Sequence, residues 1–399
     1  MTAIKLCGDE LKSGSISTQI ISQITDENLL EYRGYSIEKI EDGIYALNKV
    51  TVDEDTYIMC RNVDELKKEL GLEGIPTYDD LLNAIKNNEN ISGRYEEWFC
   101  EAISNLSHNE EFKDVDFSVL LYNIQRMKIE EKTSEEIIER AENDNVVAFY
   151  EPATQKVGVN PNNVTKYIFL HEALGHASTQ LIVDNIHYES NVILSIVDRN
   201  SDGSMGNIDA IFIGSGLEEG KADLLTEISL NFSEKAASVY DIEKETFREY
   251  KETLRLSWAD IINNSMTLKI ITEMKKIGIE NPIEYIDNSD ILHNANASDK
   301  LHYGELEDEV KFKNNVGNFL IEYSGLQIDA GRTKEDVVAQ ISQMIQLSDA
   351  YPYEIGVRRW YPVDDTNMQE FEEYVIDSIE KLPDVDNKSK ENNEIELEK

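Results

Sequence analysis

Cysteine, histidine, proline and basic residues are all scarce in this chain. Its 399 residues hold three cysteines, six histidines and seven prolines. Cys7, Cys60 and Cys100 are odd in number, far apart and confined to the first quarter. They suit neither a disulfide framework nor a thiolate metal cluster, and a reducing compartment is the expected setting. Lys and Arg number 38 against 79 Asp and Glu, a formal net charge of −41. A field of that sign repels phosphate backbones and anionic lipid, so nucleic acid is not expected as a partner. Apolar runs are only a few residues long, and no membrane span is expected. Residues 1–14 carry Lys5, Asp9, Glu10 and Lys12 around no apolar centre, so no signal peptide is read there. A cytoplasmic location is the expectation, with export lacking a cleavable signal as the alternative.

What the chain does have is core material: 40% hydrophobic residues, with 19 tyrosines. That excludes wholesale disorder. The patterning predicts an α+β protein with an N-terminal mixed α/β domain over 1–135, a second unit over 136–382 and a disordered acidic tail over 383–399. Strands are expected at 44–52 and 56–60, around the turn Asp53-Glu54-Asp55. A helix over 62–70 should end at Gly71, and helices are also expected over 117–127 and 133–141. Thr77 with Asp80, and Thr133 with Glu136, fit capping boxes. No chemistry is evident in this first part. Residues 146–150 and 155–159 read as a hairpin or two adjacent strands. Asn160 then suits an N-cap and Pro161 a first helical position, opening a helix to about 182. A strand is expected over 191–197 and a polar loop over 198–209. Helices are expected over 217–233, 242–263, 265–277, 306–324, 333–348 and 367–381.

Two of the six histidines fall in one short helical stretch, His171-Glu172-Ala173-Leu174-Gly175-His176. The zinc-peptidase signature H-E-x-x-H places its histidines at i and i+4 on one helix face. Here they stand at i and i+5, about 140° apart on a regular helix. Two geometries are open. A π-bulge, which Gly175 would suit, brings His176 back beneath His171. In a regular helix, Glu172 and His176 share a face and are themselves candidate ligands. Downstream, Glu218-Glu219-Gly220-Lys221-Ala222-Asp223 lies near the start of a long helix. A zinc site with two histidines needs a third protein ligand and leaves the fourth position to water. A glutamate early in the next helix can supply it. A carboxylate one turn on can accept the free ring N–H of a ligand histidine. Glu219 and Asp223 have that spacing.

Together these two motifs resemble the pair H-E-x-x-G-H and E-E-x-x-A-D/E of the dipeptidyl peptidase III family, zinc peptidases of the gluzincin type. The resemblance spans roughly residues 145–235. It implies a zincin-like catalytic domain with a small β-sheet and a helical C-terminal half. It implies His171, His176 and Glu219 as zinc ligands, Glu172 as catalytic base, and Asp223, with Glu218 beside it, as the carboxylates behind the ligands. Family members carry the inserted residue, which implies the bulge. The fold's edge strand lines the cleft and pairs with the peptide. The expected activity is hydrolysis of a peptide or protein substrate through a zinc-bound water. The chain is short for that family, and neither His293 nor His302 has an arginine four residues later. The resemblance therefore carries zinc hydrolysis rather than dipeptide release.

An oxyanion needs a second donor. His293 and His302 are the candidates, with Tyr303, and residues 294–298 are a candidate cleft loop. His187 is a competing ligand candidate, and His108 reads as exposed. Arg358-Arg359-Trp360-Tyr361 is a rare basic spot, suited to a peptide carboxylate or to a structural salt bridge. Asp198-x-Asn200-x-Asp202-Gly203, with Asp209 in twelfth place, fits a calcium-loop template, making calcium a second candidate cofactor. Asp in place of Glu at twelve and strand-like flanks favour a plain polar loop. Two rival functions stand beside peptide hydrolysis. One is a catalytically inactive zincin-fold binding module or delivered effector. The other is a carboxylate-rich iron or manganese redox site, which lacks a second E-x-x-H pair.

Overall fold

The computed structural model describes residues 36–41, 44–52, 55–141, 146–190, 192–198, 208–231, 241–279, 282, 285–286, 316–350 and 365–383. The chain opens on a meander, β1 (Ser36–Glu41), β2 (Ile44–Val52) and β3 (Asp55–Cys60), with both pairings antiparallel. Helices α1 (Val63–Leu70), α2 (Tyr78–Asn87), α3 (Arg94–Ser107) and α4 (Ser118–Arg126) follow. Their boundaries are written in local chemistry. Gly71 stops α1 in the left-handed region at φ 63°. Thr77 and Asp80 close the capping box that starts α2.

Next come β4 (Lys128–Glu131), α5 (Ser134–Ala141), β5 (Ala148–Glu151), β6 (Lys156–Val159) and α6 (Lys166–Leu170), which runs on into a π-turn at His171–His176. Short strands β7 (Leu181–Val183) and β8 (Ile186–Tyr188) precede β9 (Val192–Asp198) and β10 (Ile208–Ile213). The remaining described elements are helical: α7 (Ser215–Ser229), α8 (Asp241–Thr253), α9 (Trp258–Ile262), α10 (Met266–Lys276), α11 (Asn318–Asp329), α12 (Lys334–Ala350) and α13 (Asp365–Glu380). This is an α+β fold, mostly helical with small sheets.

Three sheets are present among the described residues, ordered β1-β2-β3-β8-β7, β4-β6-β5 and β9-β10. The parallel pairs β3–β8 and β4–β6 join strands from before residue 135 to strands after it. One hydrophobic cluster runs from Leu81 to Ile379. Phe99 of α3 meets Phe169 of α6 edge-on at 6.0 Å, and Phe112 stacks on Trp258 at 5.0 Å. A smaller cluster joins Cys60, Leu66, Val119, Leu181 and Tyr188. No described helix is long and apolar enough to cross a membrane.

Two helix expectations are corrected. The helix expected from Asn160 starts later and stops earlier. Asn160 accepts from the Asn162 N–H at 3.0 Å and so closes a turn. Thr165 is the N-cap, accepting from the Ile168 N–H at 3.2 Å. The helical run ends by His176, and 181–183 is a strand. The stretch expected as one helix over 242–263 is two. Arg255 takes a left-handed φ of 54°, and Ser257 with Asp260 caps a new start. Residues 306–315, the 384–399 part of the expected tail, Cys7 and residues 1–14 lie outside the described residues.

Candidate metal centre

The bulged geometry is the one found. The Ala177 N–H bonds to the Glu172 carbonyl, five residues back, at 3.3 Å. The extra residue turns His176 under His171, and the ring centroids stand 4.8 Å apart. Gly175 is there for space more than for flexibility. A Cβ on it would lie 2.8 Å from the Ala222 Cβ, so the π-turn packs directly on α7. On its other side, α7 is pressed by α8. A Cβ on Gly220 would lie 2.2 Å from the Glu243 carbonyl oxygen. Held between the two, α7 is buried over almost its whole length. Its charged residues therefore face partners rather than water.

For Glu218, Glu219 and Asp223 those partners are the two histidines. His171 Nε2 lies 3.1 Å from Glu219 Oε2, His176 Nε2 lies 3.4 Å from the same oxygen, and the two Nε2 atoms are 3.2 Å apart. Behind the rings, His171 Nδ1 is 3.0 Å from Asp223 Oδ1 and His176 Nδ1 is 3.1 Å from Glu218 Oε1. Each Nδ1 thus has a carboxylate of its own, while both Nε2 atoms and the Glu219 oxygen face one point. Two imidazoles and a carboxylate converging in this way form a cluster able to hold a metal ion. Glu172 belongs to the same group, since His171, Glu172 and His176 offer donor atoms within 4.8 Å of one another. Glu219 approaches both imidazoles more closely than that and completes the tighter triad.

Set against known proteins, the chain matches no family model, no curated protein and no solved structure.

Environment separates the carboxylates. Burial pushes the Glu172 pKa up, opposed by the two imidazoles and a hydrogen bond from the Tyr150 backbone. For Glu219, burial is outweighed by His176 and His171, and its pKa falls well below the usual carboxylate range. Burial also opposes the ionised form of Glu218, but Lys221 and His176 bring its pKa down. Tyr150 lies on β5, the edge strand packed beside the π-turn.

Sequence reading passed over Lys221 and Asn123. Lys221 Nζ donates to Glu218 Oε1 at 2.8 Å, to the Gly175 carbonyl at 2.7 Å and to Thr179 Oγ1. Its place inside the second motif, three residues after Glu218, was the available signal. Asn123 of α4 donates to the Ala177 carbonyl at 2.7 Å and to the Gln180 carbonyl at 2.9 Å, tying down the end of the π-turn. Nothing local in sequence marks it.

Other expected residues fall elsewhere. His187 sits in β8 and is not part of the metal-competent group. His108 is exposed at the end of α3, its Nδ1 2.7 Å from the Ser104 carbonyl oxygen. Asp198 and Asp209 lie at the end of the β9–β10 ladder, Ile208 pairing with Asp198 and Asp209 with Val197. Asn200 and Asp202 lie outside the described residues, as do His293, His302, Tyr303, 294–298 and 358–361.

Proposed function

We propose that the chain is a zinc-dependent hydrolase of peptide bonds, with His171, His176 and Glu219 holding the metal and Glu172 acting as general base. One observation carries the reading: two imidazoles and a carboxylate converge on one point, each imidazole backed by a second carboxylate. Donors about 2.0–2.1 Å from a tetrahedral zinc stand about 3.3–3.4 Å apart. The three atoms here are separated by 3.1, 3.2 and 3.4 Å. Three protein ligands of this kind are the set of a catalytic zinc, with the fourth position left open. When bound, the metal would acidify a water and polarise the scissile carbonyl.

The chain's own residues supply the rest. Asp223 and Glu218 fix the ring tautomers and keep both Nε2 atoms aimed inward. Glu172 stands back from the tight triad, its carboxyl held above the usual carboxylate range by burial. It takes the proton of the attacking water and hands it to the leaving amine. The β5 edge beside it suits an extended peptide held by main-chain hydrogen bonds.

Metal content of protein purified without added metal is the first test, with one zinc per chain expected. His171→Ala, His176→Ala and Glu219→Ala should each strip it. Stoichiometric iron instead would sink the zinc reading, because a two-histidine, one-carboxylate set also suits iron(II). Glu172→Gln should keep zinc while turnover of a peptide library falls about 10²–10⁴-fold. Equal cleavage by both proteins would mean another base. No cleavage by zinc-loaded wild type, over free and blocked peptides, would leave a non-catalytic binding fold.

A further inference from the structure

The geometry points to Lys221 as a positioning residue of the metal centre, one that acts on His176 through Glu218 and on the π-turn through Gly175. The inference rests on the metal reading above. Lys221 is fully buried, with a relative exposure of 0%. A buried ammonium is tolerated only where it is paired and hydrogen-bonded. Here it joins three groups that no other side chain joins among the described residues: the Glu218 carboxylate, the Gly175 carbonyl and the Thr179 hydroxyl.

Glu218 gathers its donors on one oxygen. Oε1 faces Lys221 Nζ at 2.8 Å, His176 Nδ1 at 3.1 Å, Thr179 Oγ1 at 3.2 Å and Gln180 Nε2 at 3.3 Å. Lys221 is the shortest of these contacts and brings a full positive charge to a carboxylate that is itself only 2% exposed. Without it, the carboxylate would be left with weaker donors in a dry site and would turn away. His176 would then lose the acceptor that aims its Nε2. The second contact works in the same direction. A π-turn forfeits regular helical bonds, and the Gly175 carbonyl is satisfied by Lys221 and by Ser178 Oγ at 2.9 Å. One lysine thus fixes both the ring and the backbone that carries it. The His171 arm is built differently. Lys244 stands 3.9 Å from Asp223 Oδ2 and 2.7 Å from Glu227, so it serves Glu227 first.

The test is a double-mutant cycle between Lys221→Met and Glu218→Gln, reading Zn²⁺ affinity by chelator competition at fixed pH, with thermal midpoints of the metal-free proteins alongside. Losing a partner behind a metal ligand typically weakens binding 10–100-fold. Lys221→Met should therefore lose at least about tenfold in the wild-type background. In the Glu218→Gln background, where the carboxylate route is already gone and only the Gly175 and Thr179 contacts remain to be lost, it should lose less than about threefold. Should Lys221→Met alone fail to fold, recovery of folding in the double variant supports the coupling, and persistent failure overturns it. Equal losses in both backgrounds, or a folded Lys221→Met that binds Zn²⁺ like wild type, overturn the inference alone. A wild-type chain that binds no Zn²⁺ overturns it together with the metal reading.

Discussion

Glu172, Glu218 and Glu219 are one side chain in three settings, and the settings assign three tasks. Glu219 faces two Nε2 atoms, which outweigh its burial and keep it ionised, as the proposed ligand role requires. Glu218 faces an N–H and an ammonium and holds a ring in place. Burial acts on all three, and only at Glu172 do the opposing interactions fail to outweigh it, so its proton affinity rises. The same physics acts on a thiol outside the metal-competent group. Cys60 is 6% exposed, and burial, with Glu65 and Glu69, pushes its pKa up to about 12. At pH 8 its thiolate fraction is then on the order of 10⁻⁴. Iodoacetamide at pH 8, with peptide mapping, should leave native Cys60 unmodified and label it fully in denaturant. Labelling of the native chain at the denatured rate would refute that environment.

At the scale of elements, the π-turn and α7 form one unit, and Gly175 sets their separation. Gly175→Ala should force the turn off α7, because the new Cβ would meet the Ala222 Cβ at 2.8 Å. Overpacking of this kind costs about 1–3 kcal/mol. Here the displacement also moves both histidines of the proposed zinc site, so Zn²⁺ affinity should fall with stability. Adding Ala222→Gly should recover part of both losses, measured by chemical denaturation and chelator competition. An unchanged Gly175→Ala protein would show that the contact does not set the site. Much of this unit was legible in the residues. The i, i+5 spacing demanded either a bulge or different ligands, and Glu219 with Asp223 had the right period. Capping chemistry placed the starts of α2 and α5 for the same reason, since a Thr and an acid three residues on satisfy each other locally. What could not be read was tertiary. Asn160 has cap chemistry but spends it on a turn, and Thr165 takes its place. Lys221 looks like a surface lysine until the helices that bury it are in position.

At the scale of the whole molecule, the site depends on residues far from its motifs. Asn123 of α4 holds the Ala177 and Gln180 carbonyls, and Phe99 of α3 packs on Phe169, two residues before His171. Asn105 of α3 donates to the Ser229 carbonyl, at the last residue of α7, at 2.8 Å. Both mixed sheets take strands from each side of residue 135, and the main core is continuous across that point. A division there would strip β6 of β4 and β8 of β3, exposing strand edges and apolar faces together. Calorimetry of the full chain should therefore show these parts melting in one transition, with calorimetric and van't Hoff enthalpies in agreement. A fragment of residues 136–382 expressed alone should aggregate or lack a cooperative transition, and should bind Zn²⁺ at least about tenfold more weakly than the full chain. Co-expression with residues 1–135 should restore both properties, because the missing strands and the Asn123 contacts return. A 136–382 fragment that folds alone and binds Zn²⁺ like the full chain would show that the metal centre needs nothing from the first 135 residues, and that the shared sheets are a docking surface between two independent units.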